Sequence, residues 1–104
     1  MTAYKVMVAK AAYTDLEQLI HYISVELAEP QTALKLTNKL ESAILSLSEM
    51  PERGRYVQDE AFASRGIRRI LVENYIIFYN VDMTSCTVNI IRILYAKRDW
   101  THIL

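Results

Sequence analysis

The last forty residues constrain the fold of this chain more than any other part. They hold three consecutive segments rich in β-branched and aromatic residues, at 66–72, 74–79 and 87–94, separated only by short turns. Connections this short join antiparallel strands, so we expect a three-stranded meander. The first and third segments also carry arginines. An unpaired guanidinium inside a core would cost several kcal/mol, so these arginines must emerge at a sheet face or a strand end.

Two helices are predicted ahead of these strands. Apolar residues between Leu16 and Leu27 recur at spacings of three and four and form one stripe, and Asp15 is expected to point away from it. This helix could be capped by Thr14 or extended backwards by the preceding alanines. Pro30 suits the first position of a second helix, because its missing N–H would have no partner there. The connection is about four residues long, which predicts an antiparallel helical hairpin.

The predicted order of elements is β-α-α-β-β-β, with the first strand at 4–8. This is an α+β fold in which the two-helix hairpin covers one face of an antiparallel sheet, and we expect a single domain over residues 1–104. Residues 50–66 are predicted to be the only loop-like region. The turn between the next two strands falls at Glu73-Asn74, where Asn74 can adopt the left-handed conformation that such turns need.

Composition excludes several classes of protein. No apolar run approaches the roughly 18 residues that a membrane span needs, and the first residues lack the apolar stretch of a secretory signal, so we expect a cytoplasmic protein. The single cysteine, Cys86, has no partner for a disulfide or a shared zinc ion. The chain has no glycine-rich phosphate loop, nucleophile elbow or metal-spaced histidine pair, so we expect neither a metal nor a cofactor.

Charge is unevenly distributed along the chain. Twelve basic and twelve acidic residues give a formal net charge of zero, which is weak support for a protein that grips a phosphate backbone. Residues 1–50 hold four basic and six acidic residues, a net charge of −2, and residues 51–104 hold eight and six, a net charge of +2. The cations of the second half are equally compatible with ordinary solvated surface positions.

Clustered arginines can carry chemistry without a histidine or a metal. They can bind a scissile phosphate, stabilise the charge that develops in transesterification and orient an RNA 2′-hydroxyl for attack. Arg68 and Arg69 are adjacent in one strand and point to opposite faces, so only one of them can share an open face with Arg92. The sequence leaves open which one does.

Several segments together resemble a known family. They are Asp15-Leu16, Tyr22-Ile23, Pro51-Glu52-Arg53-Gly54-Arg55, 67–72, 74–79, 91–94 and Arg98-Asp99. In this order and spacing they resemble the RelE/ParE superfamily of bacterial type II toxins. The resemblance implies a toxin that arrests growth and that a co-expressed antitoxin protein keeps silent.

The two branches of this superfamily act on different targets. RelE-like toxins are ribosome-dependent mRNA endoribonucleases, whereas ParE-like toxins inhibit DNA gyrase. RelE-like RNases carry a catalytic arginine directly after the tyrosine that opens the third predicted strand, but here the residue after Tyr75 is Ile76. They are also very basic proteins, whereas this chain has no net charge. We therefore predict a ParE-like gyrase inhibitor. The alternative is a RelE-like RNase, with Arg69, Arg98 and His102 as candidate catalytic residues, and a degenerate toxin without a target also fits the sequence.

The cations of the second half and the excess of aromatic residues supply candidate binding residues. Six residues of the second half are predicted to contact the target: Arg68, Arg69, Arg92, Lys97, Arg98 and Trp100. Three tyrosines are predicted to contact the antitoxin, because tyrosine often anchors interfaces: Tyr22, Tyr56 and Tyr95. By contrast, Tyr75 and Tyr79 alternate with Ile77 along one strand and are predicted to pack in the sheet.

Overall fold

The computed structural model describes residues 3–100 and 102–104. Its helical elements are α1 (Lys10–His21), a π-helical turn (Tyr22–Glu26), α2 (Pro30–Ser46) and α3 (Glu60–Ala63). Its strands are β1 (Lys5–Val8), β2 (Arg55–Tyr56), β3 (Arg68–Val72), β4 (Tyr75–Asp82) and β5 (Thr87–Tyr95). The strands form one sheet in the order β1-β5-β4-β3-β2, with β1 parallel to β5 and the other neighbours antiparallel. No helix among the described residues is long and apolar enough to cross a bilayer.

The predicted α+β fold is confirmed, and the sheet separates two apolar clusters. Ile70, Ile77 and Ile93 lie opposite one another on β3, β4 and β5, so their side chains share a face. This face packs against Leu19 of α1 and Leu40 of α2. The helical hairpin therefore buries its stripes on one face of the meander, as the sequence predicts.

The second cluster lies on the opposite face. Ile76, Phe78 and Leu94 point to this side and pack against Val57 and Phe62, which come from the segment between α2 and β3. A sheet with apolar residues on both faces needs a cover on each. The segment at 50–66 supplies part of the second cover.

Two local predictions were wrong, and one open alternative is decided. Residues 50–66 are not only loop, because they contain β2 and α3, and Asp59 caps α3 by accepting a hydrogen bond from the Ala61 N–H at 3.0 Å. The turn between β3 and β4 takes its positive φ of 54° at Glu73, not at Asn74. Of the two starts left open for the first helix, the structure has the extension backwards through the alanines, because α1 begins at Lys10. Pro30 does lie in the first turn of α2, as predicted.

Candidate functional site

Three arginines form one row across the face that the helical hairpin leaves uncovered. In the strand register, Phe78 lies opposite Arg69 on β3 and opposite Arg92 on β5, and Arg69 lies opposite Arg55 on β2. Directly opposed residues of antiparallel strands project to the same face. We call Arg55, Arg69 and Arg92 the arginine row. Arg69, and not Arg68, is therefore the residue that shares a face with Arg92.

Arg92 is neutralised within the protein. Its Nε and Nη2 donate to the two carboxylate oxygens of Asp15, each at 2.7 Å, and the pair is largely buried, with side chains 22% and 7% exposed. The Ile93 N–H donates to the same carboxylate at 3.0 Å. The hydrogen bonds that Arg92 donates to the Asp15 carboxylate raise the pKa of Arg92. The expectation that Asp15 points away from the core was wrong. β1 pairs with β5 only as far as Ile90, and beyond that residue α1 runs beside β5 and brings Asp15 to Arg92 and Ile93.

Arg68 lies on the other face, opposite Tyr79, and holds the loop that precedes β2. Its Nη1 donates to the Gly54 carbonyl at 2.7 Å and to the Glu52 carbonyl at 3.3 Å. The guanidinium also lies 4.0 Å from the centre of the Tyr56 ring, a cation–π contact. Arg68 is thus engaged with its own chain.

The fully buried Tyr79 binds the same loop from the hairpin side of the sheet. Its hydroxyl accepts a hydrogen bond from the Gly54 N–H and donates one to the Pro51 carbonyl, both at 2.9 Å. A Cβ at Gly54 would lie 2.5 Å from the Tyr79 Oη and 2.8 Å from the Arg69 carbonyl oxygen, so only glycine fits there. Burial raises the pKa of Tyr79. The prediction that Tyr79 packs in the sheet is confirmed.

The centre of the arginine row is apolar and covered. Phe78 has no exposed surface. The centre of the Trp100 ring lies 5.1 Å from the centre of the Phe78 ring and 6.0 Å from that of the Phe62 ring. Ile103 and Leu104 pack against the same cluster. Trp100 was predicted to be an exposed contact residue, but it is half-buried because the chain after β5 returns over this face.

The remaining predicted target residues follow β5. Lys97 and Arg98 are exposed in the turn after Tyr95, where the Arg98 N–H donates to the Tyr95 carbonyl at 3.0 Å. His102 Nε2 lies 3.7 Å from Asp99 Oδ2, and both side chains are mostly exposed. These residues lie on the C-terminal segment and not on a strand of the arginine row.

Two of the three predicted antitoxin residues share one groove. Tyr22 on the π-helical turn and Tyr95 at the end of β5 line a groove of about 720 Å³ between the tip of the hairpin and the end of the sheet. Tyr75 lies between them and meets Tyr95 edge to face, with ring centres 5.7 Å apart. Burial and the neighbouring Tyr95 and Tyr22 raise the pKa of Tyr75. We call this site the tyrosine groove.

The rim and floor of the tyrosine groove come from α2 and the π-helical turn. Ile23 and Leu36 are buried beneath it, Leu27 is 47% exposed at its edge, and an ion pair between Lys39 and Glu73 joins α2 to the β3–β4 turn. Tyr56 does not belong to the groove, because it lies on β2 against Arg68.

Sequence reasoning missed Arg55 and Asp15 as members of the site. Arg55 follows Gly54 in a segment without strand periodicity, and only the pairing of β2 with β3 places it beside Arg69. Asp15 and Arg92 are 77 residues apart in the chain. No group of three or more His, Cys, Asp or Glu side chains within the described part of the chain could hold a metal ion.

A five-stranded sheet with a helical hairpin on one face matches the RelE/ParE-like toxin folds. The family described as "ParE toxin of type II toxin-antitoxin system, parDE" matches residues 6–100. The chain therefore belongs to the ParE toxin family and is the toxin component of a type II toxin–antitoxin system. No curated protein matches it significantly in sequence.

Solved structures agree on the fold. A chain of the RelBE2 toxin–antitoxin complex from Mycobacterium tuberculosis is similar at 24% identity and a TM-score of 0.64, over 90% of this chain and 99% of that one. A chain of the chromosomal ParDE system from P. aeruginosa matches at 19% identity and a TM-score of 0.72, over 91% and 98%. A double arginine mutant of the E. coli toxin RelE in the free state matches at 14% identity and a TM-score of 0.67, over 98% and 93%. At these identities the likeness establishes the fold alone.

Proposed function

We propose that this toxin arrests growth by binding and inhibiting DNA gyrase, without catalysing a reaction itself. The observation that supports this most is the covered centre of the arginine row. An RNase that works at this face needs a cation on the scissile phosphate and a group that can accept a proton. Here the middle position is the buried Phe78 under Trp100, and Arg92 is already bound by Asp15.

The chemistry of the row supports a binding role as well. A guanidinium remains protonated in proteins and cannot serve as a general base. Ile76, which follows Tyr75 where an RNase of the superfamily is expected to carry an arginine, is 3% exposed and packs in the apolar cluster beneath the C-terminal segment. A gyrase inhibitor and a co-expressed antitoxin both act inside the cell, so we propose a cytoplasmic location.

The test is a DNA supercoiling assay with gyrase and purified toxin free of antitoxin. Loss of supercoiling or accumulation of cleaved DNA, reversed when antitoxin is added, is the expected result. Folded toxin that stops growth but leaves supercoiling unchanged would refute gyrase inhibition. Folded toxin that neither stops growth nor affects gyrase would identify a degenerate toxin.

A ribosome-dependent endoribonuclease is the second candidate, and one observation favours it. Arg55 and Arg69 are exposed, lie opposite each other and form no ion pair within the described residues. Cleavage of mRNA on translating ribosomes, abolished by substitution of Arg69, Arg98 or His102, would establish this activity.

We further propose that the antitoxin occupies the tyrosine groove. Tyrosines that combine exposed rings with a preformed apolar floor are frequent anchors of protein interfaces, and their loss often costs 2 kcal/mol or more, a factor of about 30 in affinity. Tyr22 is 51% exposed and Tyr95 is 42% exposed. An amphipathic helix or an extended segment of the antitoxin could lay apolar side chains between them.

The chain supplies a matched control for this assignment. Tyr56 is 54% exposed but lies on β2, outside the groove. In calorimetric titrations with the antitoxin, Tyr95→Ala and Tyr22→Ala should each weaken binding by at least tenfold, and Tyr56→Ala should change it by less than threefold. Equal losses for all three variants would contradict the proposed location of the antitoxin.

A further inference from the structure

We infer that Arg55 and Arg69 form a two-point binding site for the phosphodiester backbone of the DNA that gyrase holds. This inference rests on the proposed function and names the ligand of one part of the arginine row. The placement of these two arginines is unfavourable for the isolated protein. Like charges directly opposite on neighbouring strands destabilise a sheet.

The repulsion between these two arginines is not relieved within the protein. Both side chains are exposed, and neither forms an ion pair among residues 3–100 and 102–104. Arg92, in the same row, shows the alternative, since its charge is taken up by Asp15 through two hydrogen bonds of 2.7 Å. The row therefore contains one internally satisfied guanidinium and two that are available to an external anion.

The pair is also held in a fixed position. Tyr79 and Arg68 bind the backbone of Gly54 from the hairpin side of the sheet, through the hydroxyl and the guanidinium respectively. Gly54 immediately precedes Arg55, so these contacts fix the register in which Arg55 lies opposite Arg69. Arg68 is thus a positioning residue for a site on the opposite face. A register irregularity between Phe78 and Tyr79 lies next to the row, as is frequent beside functional sites.

A phosphodiester is the anion that fits this geometry best. Each guanidinium presents a planar fork of donors that matches two phosphate oxygens, and two forks on neighbouring strands can hold one phosphate between them or two along a strand. The chain has no net charge, so it offers no general attraction to nucleic acid. We therefore expect contact with the DNA only when gyrase positions it, and not binding of free DNA.

The experiment compares toxin binding to gyrase alone with binding to the gyrase–DNA complex, by fluorescence anisotropy of labelled toxin. The variants are Arg55→Gln/Arg69→Gln, the charge-preserving Arg55→Lys/Arg69→Lys and a control, Lys5→Gln/Lys10→Gln. The control removes the same charge from two exposed residues away from the row, Lys5 on the opposite edge strand β1 and Lys10 at the start of α1. Circular dichroism confirms that each variant is folded.

The wild type and the control should bind the gyrase–DNA complex at least tenfold more tightly than gyrase alone. For two phosphate contacts, this gain should fall with salt with a log–log slope of about −1.8. The glutamine pair should lose the gain and keep the affinity for gyrase alone, and the lysine pair should retain only part of it. The thermal midpoint of the glutamine pair should be equal to or above that of the wild type, because the substitution removes a repulsion.

Two results would overturn the inference. A glutamine pair with an undiminished DNA-dependent gain would exclude the site while leaving gyrase inhibition intact. A wild type that binds neither form of gyrase would refute the proposed function itself. In that case, arginine-dependent binding of single-stranded RNA, measured in the same instrument, would assign the pair to the RNase candidate and not to DNA.

Discussion

Removal of the Asp15 carboxylate is expected to destabilise the fold strongly. The side chain is 7% exposed and accepts three hydrogen bonds, two from the Arg92 guanidinium and one from the Ile93 N–H. In Asp15→Ala the guanidinium would remain largely buried without a counter-charge. Breaking a buried pair in this way costs about 3–5 kcal/mol.

That cost is large compared with the stability of a domain of this size. At roughly 0.05–0.15 kcal/mol per residue, a chain of 104 residues has a free energy of unfolding of about 5–15 kcal/mol. Asp15→Ala should therefore lose about 30–50% of the stability at the midpoint of that range. Asp15→Asn keeps the shape and can still accept hydrogen bonds, so it should lose less.

The assay is equilibrium unfolding in urea at neutral pH, followed by circular dichroism. Glu17→Ala is the matched control, because Glu17 is an exposed acidic residue of the same helix, and its free energy of unfolding should change by less than about 0.5 kcal/mol. The double variant Asp15→Ala/Arg92→Ala should be clearly less destabilised than the sum of the two single variants, since it leaves no orphaned charge. A loss of under 1 kcal/mol in Asp15→Ala, or simple additivity, would refute this account of the pair.

Three further changes test the loop and the C-terminal cover. Gly54→Ala should cost about 1–3 kcal/mol in urea unfolding, because its Cβ would lie 2.5 Å from the Tyr79 Oη; an unchanged midpoint would mean that the loop moves freely. Tyr79→Phe should cost about 1–3 kcal/mol by leaving the Gly54 N–H and the Pro51 carbonyl without their partner. Burial raises the pKa of Tyr79 above its ordinary 10.0, so the stability contributed by its neutral hydroxyl is complete below pH 10.0 and is lost as the pH rises through the raised value. Between neutral and alkaline pH, the free energy of unfolding should therefore fall less in Tyr79→Phe than in the wild type. Trp100→Ala should expose Phe78 and increase binding of a hydrophobic dye, at a cost of about 1–3 kcal/mol, and a variant that binds no more dye than the wild type would contradict the covering role.

Much of this fold follows from local patterns in the sequence. The spacing of apolar residues after Leu16, the proline at position 30 and the short turns after residue 66 are enough to predict the helical hairpin and the meander, because helix and strand periods are properties of neighbouring residues. The same segments carry the resemblance to the RelE/ParE superfamily, and the match to the ParE toxin family over residues 6–100 confirms it.

The site depended on contacts that no local pattern encodes. A two-residue strand has no periodicity, so the position of Arg55 beside Arg69 follows only from its pairing with β3. The sequence shows that Arg68 and Arg69 point to opposite faces of one strand but not which of them shares a face with Arg92. The pairing of Arg69 with Phe78 decides that it is Arg69. Which of the three tyrosines share a groove was likewise a matter of how the hairpin tip meets the sheet.

The sequence by itself thus determined the class of fold, the family and the set of arginines and tyrosines available for binding. Tertiary structure decided which of these side chains remain available. Arg92 is bound by Asp15 from 77 residues away, Arg68 holds the loop at Gly54, and Trp100 folds back over Phe78. The physical reason is that a charge or a ring becomes free or satisfied only through the neighbours that packing brings to it, and those neighbours are distant in the chain.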